Sequence, residues 1–146
     1  MGFASAKTFL FLVLIVSSHL LTFAHICVFT DAFTIYVANK LPPNSGKLLI
    51  RCQSGNNDLG YHNLTTNQEF SWSFCTAVFG RTLFFCHFWW GAKEVCFDVF
   101  RDSWAQRCSG DQCYWAAQSD GIYLSGSKRH VWDGNSCHRR SNFKQV

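Results

Sequence analysis

Cysteine and histidine are the residues of this sequence whose types and spacing could do chemistry. The 146-residue chain contains eight cysteines and six histidines, and two cysteines directly precede a histidine, in Cys86-His87 and Cys137-His138. A thiol beside an imidazole is the arrangement that activates a cysteine nucleophile. Neighbouring side chains on a strand point to opposite faces, however, so Cys86 and His87 are poorly placed to interact. We therefore predict no catalytic residues and no enzymatic activity.

A metal centre is the second chemistry that these residue types allow. Cys108 and Cys113, taken with Cys137 and His138, could supply four ligands. The paired CxxC spacing of a zinc module is missing, and oxidation to disulfides competes wherever the chain is secreted. The sequence therefore favours disulfides, and we predict no metal site and no cofactor.

The N-terminus indicates the cellular compartment to which the cysteines are exposed. Met1–Ala24 has the pattern of a secretory signal peptide, with Lys7 before the apolar run Phe9–Val16 and a small residue at its end. We predict a secreted, extracellular protein whose residues 25–146 form a single domain. Cleavage after Ala32 is an alternative that would remove Cys27. Secretion also makes Asn63, in Asn63-Leu64-Thr65, a candidate N-glycosylation site.

Positive charge is concentrated near the C-terminus. Without Lys7 the 13 basic residues become 12, which against 9 acidic residues gives +3, and Lys128–Val146 alone carries five basic residues and one acidic residue, or +4. This segment is either a solvated edge and tail or a contact for acidic lipid, wall polysaccharide or a receptor. We predict no nucleic-acid partner for a secreted chain and, since no other segment is long and apolar enough, no stable membrane insertion.

The elements that must position these residues follow a hydrophobic period of two. Alternation predicts strands, and Leu83–Trp90 is apolar on both faces, as a central strand would be. Turn-rich segments separate the strands, and no segment has a convincing helical period. The pattern predicts an all-β fold, a small antiparallel β-sandwich with disulfides. The predicted strands lie in Phe33–Ala38, Leu48–Cys52, Phe70–Cys75, Leu83–Trp90, Val95–Val99, Cys113–Ala117, Ile122–Leu124 and Val131-Trp132, and the predicted turns in Leu41–Gly46, Ser54–Gly60, Gly91–Lys93 and Asp120-Gly121.

An ordered set of short motifs carries a family resemblance. The motifs are Val37-Ala38-Asn39, Leu49–Ser54, Asn57–His62, Phe70–Phe74, Phe79–Cys86, Phe97–Phe100 and Cys113-Tyr114-Trp115. From about Phe33 to Trp132 the chain resembles the plant self-incompatibility protein family, also called S-protein homologues. The resemblance implies a small secreted β-sandwich with no known enzymatic activity, acting as a signalling ligand that a cell-surface receptor reads.

The resemblance also divides the cysteines into two groups. Cys52, Cys86, Cys108 and Cys113 fall at family positions, which implies a framework of two disulfides with three possible connectivities. Outside that pattern, Cys75 and Cys96 alternate away from the core-facing residues of their strands. They could pair with each other, pair with the terminal Cys27 and Cys137, stay free or link two chains.

Two polar segments are the predicted receptor-reading loops, Asn56–His62 and Arg101–Gln112. Trp104, flanked by Arg101 and Arg107, is a candidate contact because tryptophan and arginine are favoured as binding anchors. The alternative for Trp104 is packing back onto the sheet. The alternative function is a cysteine-rich secreted defence protein that acts on membranes through its basic C-terminal tail.

Overall fold

The computed structural model describes residues 27–141, with side chains described up to residue 138. The predicted signal peptide and Lys144 lie outside the described residues. Residues 27–141 contain nine strands, one 3-10 helix (Asp102–Arg107) and one α-helix, α1 (Asn135–Ser141). The strands are β1 Ala32–Asn39, β2 Leu48–Gln53, β3 Asp58–Leu64, β4 Glu69–Cys75, β5 Leu83–Trp90, β6 Lys93–Arg101, β7 Gln112–Gln118, β8 Gly121–Leu124 and β9 Ser127–His130.

Two sheets form the sandwich, and the predicted fold class is confirmed. One sheet has the strand order β4-β1-β7-β8-β9 and the other has the order β3-β2-β5-β6. Among the described strands, neighbours pair antiparallel except β1 and β7, which run parallel with Val37 opposite Trp115. The parallel pair was not predicted, because alternation within a strand does not indicate the direction of its neighbour.

Alternation along the strands builds the core between the sheets. Leu48, Ile50 and Cys52 of β2 are buried at every second position, as the period of two requires. Trp115 of β7 is buried in the same core from the other sheet, and its indole N–H donates to the Val99 carbonyl at 2.9 Å. A buried indole needs such a partner, so this bond fixes the ring at the centre of the core.

The strand registers divide the sandwich into two ends. Gln53 pairs with both Asp58 and Phe85, and Leu83 pairs with Arg101. The β2–β3, β4–β5 and β6–β7 connections therefore emerge together, with residues 27–31 before β1, at what we call the loop end. The β1–β2, β3–β4, β5–β6 and β7–β8 connections form the opposite, turn end.

Three details of the predicted secondary structure are wrong. The sequence predicts no strand between Leu48–Cys52 and Phe70–Cys75, yet β3 occupies Asp58–Leu64 and shortens the Ser54–Gly60 loop. The last strand is β9, and Val131-Trp132 follows it rather than forming a strand. The sequence predicts no helix, yet α1 forms because the Asp133 carboxylate accepts a hydrogen bond from the Asn135 N–H at 2.9 Å, as a residue at a helix start does.

All eight cysteines are paired. The framework cysteines form Cys52–Cys86 and Cys108–Cys113. Of the alternatives left open for the others, the structure has Cys27–Cys75 and Cys96–Cys137. The first of these ties the segment before β1 to the end of β4, and the second ties α1 to β6.

Candidate binding surfaces at the loop end

The 3-10 helix carries two of the three predicted contact residues and follows the third. Trp104 is half-buried, with its ring centroid 6.2 Å from that of Phe100 and 6.5 Å, edge-on, from that of Trp115. The indole therefore packs back onto the core, which was the alternative to an exposed anchor. The guanidinium of Arg107 lies over the indole, 5.8 Å from its centroid. Arg101, at the end of β6, forms a 2.7 Å salt bridge with Asp98.

Trp104 and Arg107 border an open groove between the edges of the two sheets. The groove has a volume of about 500 Å³, and Asp98, Arg129 and His130 also line it. Its floor is aromatic, since His130 stacks on Phe97 with ring centroids 4.5 Å apart. We call this the basic-aromatic groove and define it by Trp104, Arg107, Arg129 and His130.

A bulge in β9 gives the groove two polar side chains from one short strand. Ile122 pairs with His130, but Tyr123 pairs with Lys128, so Arg129 is an extra residue in the ladder. Strict alternation would place Arg129 and His130 on opposite faces. A bulge re-aims side chains at the position where it occurs, and here both residues line the same groove.

The basic C-terminal segment is part of the fold over most of its length. Lys128 lies in β9, where it forms a 2.8 Å salt bridge with Asp120. Residues 135–141 form α1, which packs on β6 and is held there by Cys96–Cys137. The described part of this segment is therefore an ordered edge of the sandwich rather than a free tail.

An apolar patch lies on the other side of the 3-10 helix, and the sequence predictions missed it. Val28 and Phe29 are 72% and 89% exposed, and Val78 and Phe79 are 72% and 86% exposed. These four residues define the patch and are four of the six large exposed hydrophobic residues among those described. Phe29 and Val78 border one shallow cavity together with Asp102 and Ala105 of the 3-10 helix. The sequence signal that could have revealed the patch was a Val-Phe pair inside a turn-rich segment.

The patch is held together by covalent and hydrogen bonds. Cys27–Cys75 joins the two segments that carry it. The N–H and O–H groups of Thr76 both donate to the Asp31 carbonyl, at 2.9 and 3.3 Å. The segments that carry the two Val-Phe pairs, fifty residues apart in the sequence, are thereby tied together, and Phe29 and Val78 border one cavity.

The Asn56–His62 segment contributes a rigid start of β3 rather than a flexible loop. Asp58 forms a 2.5 Å salt bridge with Arg51, and its carboxylate also accepts a hydrogen bond from the Gly60 N–H at 3.0 Å. The side-chain hydrogen bond from Arg51 and the backbone bond from Gly60 lower the pKa of Asp58 well below its usual range. Asn56 and Asn57 remain exposed and border a second loop-end groove of about 740 Å³, next to Arg81.

His87 lies beside Cys137 rather than beside its sequence neighbour. Its Nε2–H donates to the Glu94 carboxylate at 2.8 Å, and the same nitrogen is 3.3 Å from the Cys137 sulfur. Burial lowers the pKa of His87 despite the opposing effect of Glu94, so the imidazole is neutral at pH 7. Cys86 points into the core and is bonded to Cys52, which separates it from His87.

The ligands of the hypothetical zinc set lie in two different disulfides. Cys108 is bonded to Cys113, whereas Cys137 is bonded to Cys96. His87, Cys96 and Cys137 bring their ligand atoms within 4.8 Å of one another. Both sulfurs of that group are in one disulfide, however, and zinc requires thiolates.

Asn63 of the glycosylation motif is exposed near the end of β3. Because β3 is an edge strand of its sheet and Asn63 pairs with Leu49, the side chain sits toward the turn end, away from the apolar patch. Within residues 27–141, no helix has the length and apolar character needed to cross a membrane.

The described residues thus form a small two-sheet β-sandwich with four disulfides. Residues 34–136 match the family model described as plant self-incompatibility protein S1. The chain therefore belongs to the plant self-incompatibility protein family, which confirms the resemblance.

Relatives and a solved structure agree with this assignment. S-protein homologs 2, 3 and 29 from Arabidopsis thaliana are 34%, 32% and 34% identical over 63%, 60% and 68% of this chain. The matches span 59%, 65% and 72% of those proteins, so less than two thirds of the first two relatives is covered. A solved self-incompatibility protein homologue, from a family described as small, highly stable, secreted plant proteins, matches with a TM-score of 0.53 at 22% identity, over 70% of this chain and 90% of that one. The protein is thus a member of a secreted plant family with this fold.

Proposed function

We propose that the protein is a secreted, non-enzymatic signalling ligand that a cell-surface receptor recognises at the loop end. The observation that carries this proposal is the apolar patch of Val28, Phe29, Val78 and Phe79. Contiguous exposed apolar surface that polar residues surround is typical of a protein-interaction site. The 3-10 helix and the Asn56-Asn57 loop emerge at the same end and supply the polar surroundings.

The cysteine pairing supports a binding role rather than a catalytic one. All eight cysteines are in disulfides, so none offers a thiolate nucleophile. The disulfides instead hold the loop-end segments in fixed positions, and rigid presentation lowers the entropy that a ligand loses when it binds.

Arg101 and Arg107 are the polar contacts that we propose beside the patch. Arg101→Ala combined with Arg107→Ala should weaken receptor binding, because both guanidiniums are exposed at the loop end. Trp104 is better replaced by Phe, since its ring packs on Phe100 and Trp115 and alanine would leave a cavity. An unchanged affinity in the double arginine variant would remove these residues from the proposed contact.

The patch requires a mature chain that begins before Cys27. Cleavage after Ala24 preserves Cys27, Val28 and Phe29, whereas cleavage after Ala32 removes all three and leaves Cys75 without its partner. We expect the intact mass of the secreted protein, measured after deglycosylation, to correspond to a start at residue 25. A mass that starts at residue 33 would contradict the proposed contact surface.

We also propose an N-glycan on Asn63, at the turn end. Its position leaves the loop end uncovered, so a glycan there is compatible with receptor contact. Asn63→Gln should remove a mass shift that peptide-N-glycosidase A also removes, without changing receptor binding. An identical mass in the variant and the parent protein, both secreted from plant cells, would show that the site is unused.

Binding to plant cells tests the receptor role. Fluorescently labelled, oxidised protein should bind intact protoplasts saturably, and mild protease treatment of the cells should abolish that binding. Protein-free vesicles of phosphatidylcholine and phosphatidylserine should neither bind the protein nor leak. Leakage that disappears when Arg139, Arg140 and Lys144 are replaced by Gln would instead favour the membrane-active defence protein. These replacements keep β9 and Cys137, which deletion of Lys128–Val146 would remove.

A further inference from the structure

We propose that the basic-aromatic groove binds an acidic polysaccharide, a chain of linked pyranose rings that each carry a carboxylate. This inference goes beyond the receptor role. The groove shares Arg107 with the proposed receptor contacts, but it lies on the far side of the 3-10 helix from the apolar patch and its ligand is tested separately. Its function would be to retain the secreted protein on an anionic carbohydrate matrix.

Two guanidiniums in the groove are available for carboxylates. The salt bridges among the described residues involve Arg51, His87, Arg101 and Lys128. Neither Arg107 nor Arg129 has a carboxylate within salt-bridge distance in that part of the chain. Guanidinium groups present parallel N–H donors that match the two oxygens of a carboxylate. The groove therefore has the donors that an anionic ligand needs.

These two arginines come together only through the fold. Arg107 ends the 3-10 helix before β7, and Arg129 is the extra residue of the β9 bulge. Bulges that re-aim a side chain are common next to functional sites. Positive charge from the 3-10 helix and from β9 thus converges on one surface.

The aromatic part of the groove suits a ring with an apolar face. Trp104 is partly exposed and lines the groove next to Arg107. Tryptophan combines a large apolar surface with a polar edge, which suits a ligand that is itself amphipathic. A pyranose ring that carries a carboxylate offers both the apolar face and the anion.

The edges of the groove disfavour the other anionic ligand, an acidic peptide. An extended peptide commonly binds by adding a strand to an exposed sheet edge. The bulge interrupts the ladder of β9, and bulges of this kind protect an edge from further pairing. On β6, the Cys96 N–H already donates to the Ser136 Oγ of α1 at 2.9 Å. Recognition here must therefore use side chains rather than backbone pairing.

The probes for this proposal are an oligogalacturonate of about ten residues, its methyl ester and poly-glutamate of equal charge. Binding to the oxidised, full mature protein is measured by titration calorimetry and by tryptophan fluorescence. We expect the oligogalacturonate to bind. The methyl ester, which lacks the free carboxylate, and poly-glutamate, which lacks the pyranose ring, should each bind at least about tenfold more weakly. Equal binding of oligogalacturonate and poly-glutamate would show that the groove responds to negative charge alone, and it would overturn the proposal.

A pair of variants locates the site. Arg107→Ala combined with Arg129→Ala should lower the affinity for oligogalacturonate at least about tenfold, because two charge-assisted contacts are lost. Lys47→Ala combined with Arg81→Ala removes the same charge from two exposed positions elsewhere and should leave the affinity within about twofold, since only long-range attraction changes. Equal loss in both variants, or no binding by the parent protein, would contradict the proposal. Circular dichroism confirms that each variant is folded.

Discussion

The turn end and the loop end of the sandwich differ in whether their aromatic and polar side chains are packed and hydrogen-bonded or exposed to solvent. At the turn end, the indole N–H groups of Trp90 and Trp132 donate to backbone carbonyls, at 2.7 and 2.8 Å, and the two rings pack 5.7 Å apart. At the loop end, Phe29 and Phe79 are almost fully exposed, and the guanidiniums of Arg81 and Arg107 are open to solvent.

This difference indicates a division of labour within one small domain. Satisfied side-chain hydrogen bonds and packed aromatic rings contribute to the free energy of unfolding. Exposed aromatic rings do not, and surface of that kind is typically retained for binding. The comparison therefore predicts that turn-end and core substitutions reduce stability, whereas loop-end substitutions reduce binding.

The largest expected effect is on stability, from the buried framework disulfide. Cys52 and Cys86 are fully buried and close a separation of 34 residues. Replacing both with Ala should reduce the free energy of unfolding by about 2–5 kcal/mol, as is typical for a native disulfide. Replacing Cys27 and Cys75 instead should free the loop-end segment and cost less, which paired urea unfolding curves would measure. A larger loss of unfolding free energy from removing Cys27–Cys75 than from removing Cys52–Cys86 would contradict the proposed difference between the core and the loop end.

A smaller loss is expected from Asn39, the buried polar residue beside the turn end. It is 0% exposed, its side-chain Nδ2 donates to the Leu64 carbonyl at 2.8 Å and its side-chain Oδ1 accepts from the Leu41 N–H at 2.9 Å. Asn39→Ala removes both bonds and leaves two backbone groups unpaired, which should cost about 2–3 kcal/mol. The matched change Asn56→Ala, at the exposed loop end, should cost less than about 0.5 kcal/mol. Similar losses in the two variants would contradict the proposed division.

The pH dependence of stability should report on His87. Burial holds its pKa below the usual value of about 6.5, so near that pH the unfolded chain binds more protons than the folded chain. Stability is therefore expected to fall as the pH decreases through about 6.5. His87→Gln keeps a donor for Glu94 but cannot be protonated, so its melting temperature should fall less between pH 7.5 and pH 5.5. Identical pH profiles for the variant and the parent protein would contradict this assignment.

The alternation of hydrophobic and polar residues within strands is the main feature of the fold that could be predicted from the sequence. The period of two identified most of the strands and their buried faces. Asp120-Gly121 indicated the β7–β8 turn, whose two residues are Ser119 and Asp120, and Gly121 begins β8 with a positive φ of 153°. A Cβ at Gly121 would also collide with the His130 carbonyl oxygen, so only glycine fits there. These features depend on local residue types, which a single sequence displays.

Features that depend on register could not be read from the sequence. The first residues of β3, Asp58-Leu59-Gly60, look like a turn, yet pairing with β2 makes them a strand. The partners of Cys75 and Cys96 depend on where residues 27 and 137 meet the sheets. The extra position of Arg129 arises from a slip in the β8–β9 ladder. The helix α1 is the exception, because Asp133, two residues before it, is a start signal that the sequence displays.

Competition for receptor sites on protoplasts is the most direct test of the claim that recognition lies at the loop end. The test variant combines Phe29→Ser with Phe79→Ser, and its control is Val131→Ser, which removes an exposed hydrophobic residue elsewhere. Both should change the free energy of unfolding by less than about 1 kcal/mol, since these side chains are exposed. We predict that the test variant competes at least about tenfold more weakly than the parent protein, as expected when aromatic anchors that the receptor buries are lost. The control should compete as well as the parent protein. Equal competition by the test variant, or equal loss in both variants, would contradict the account.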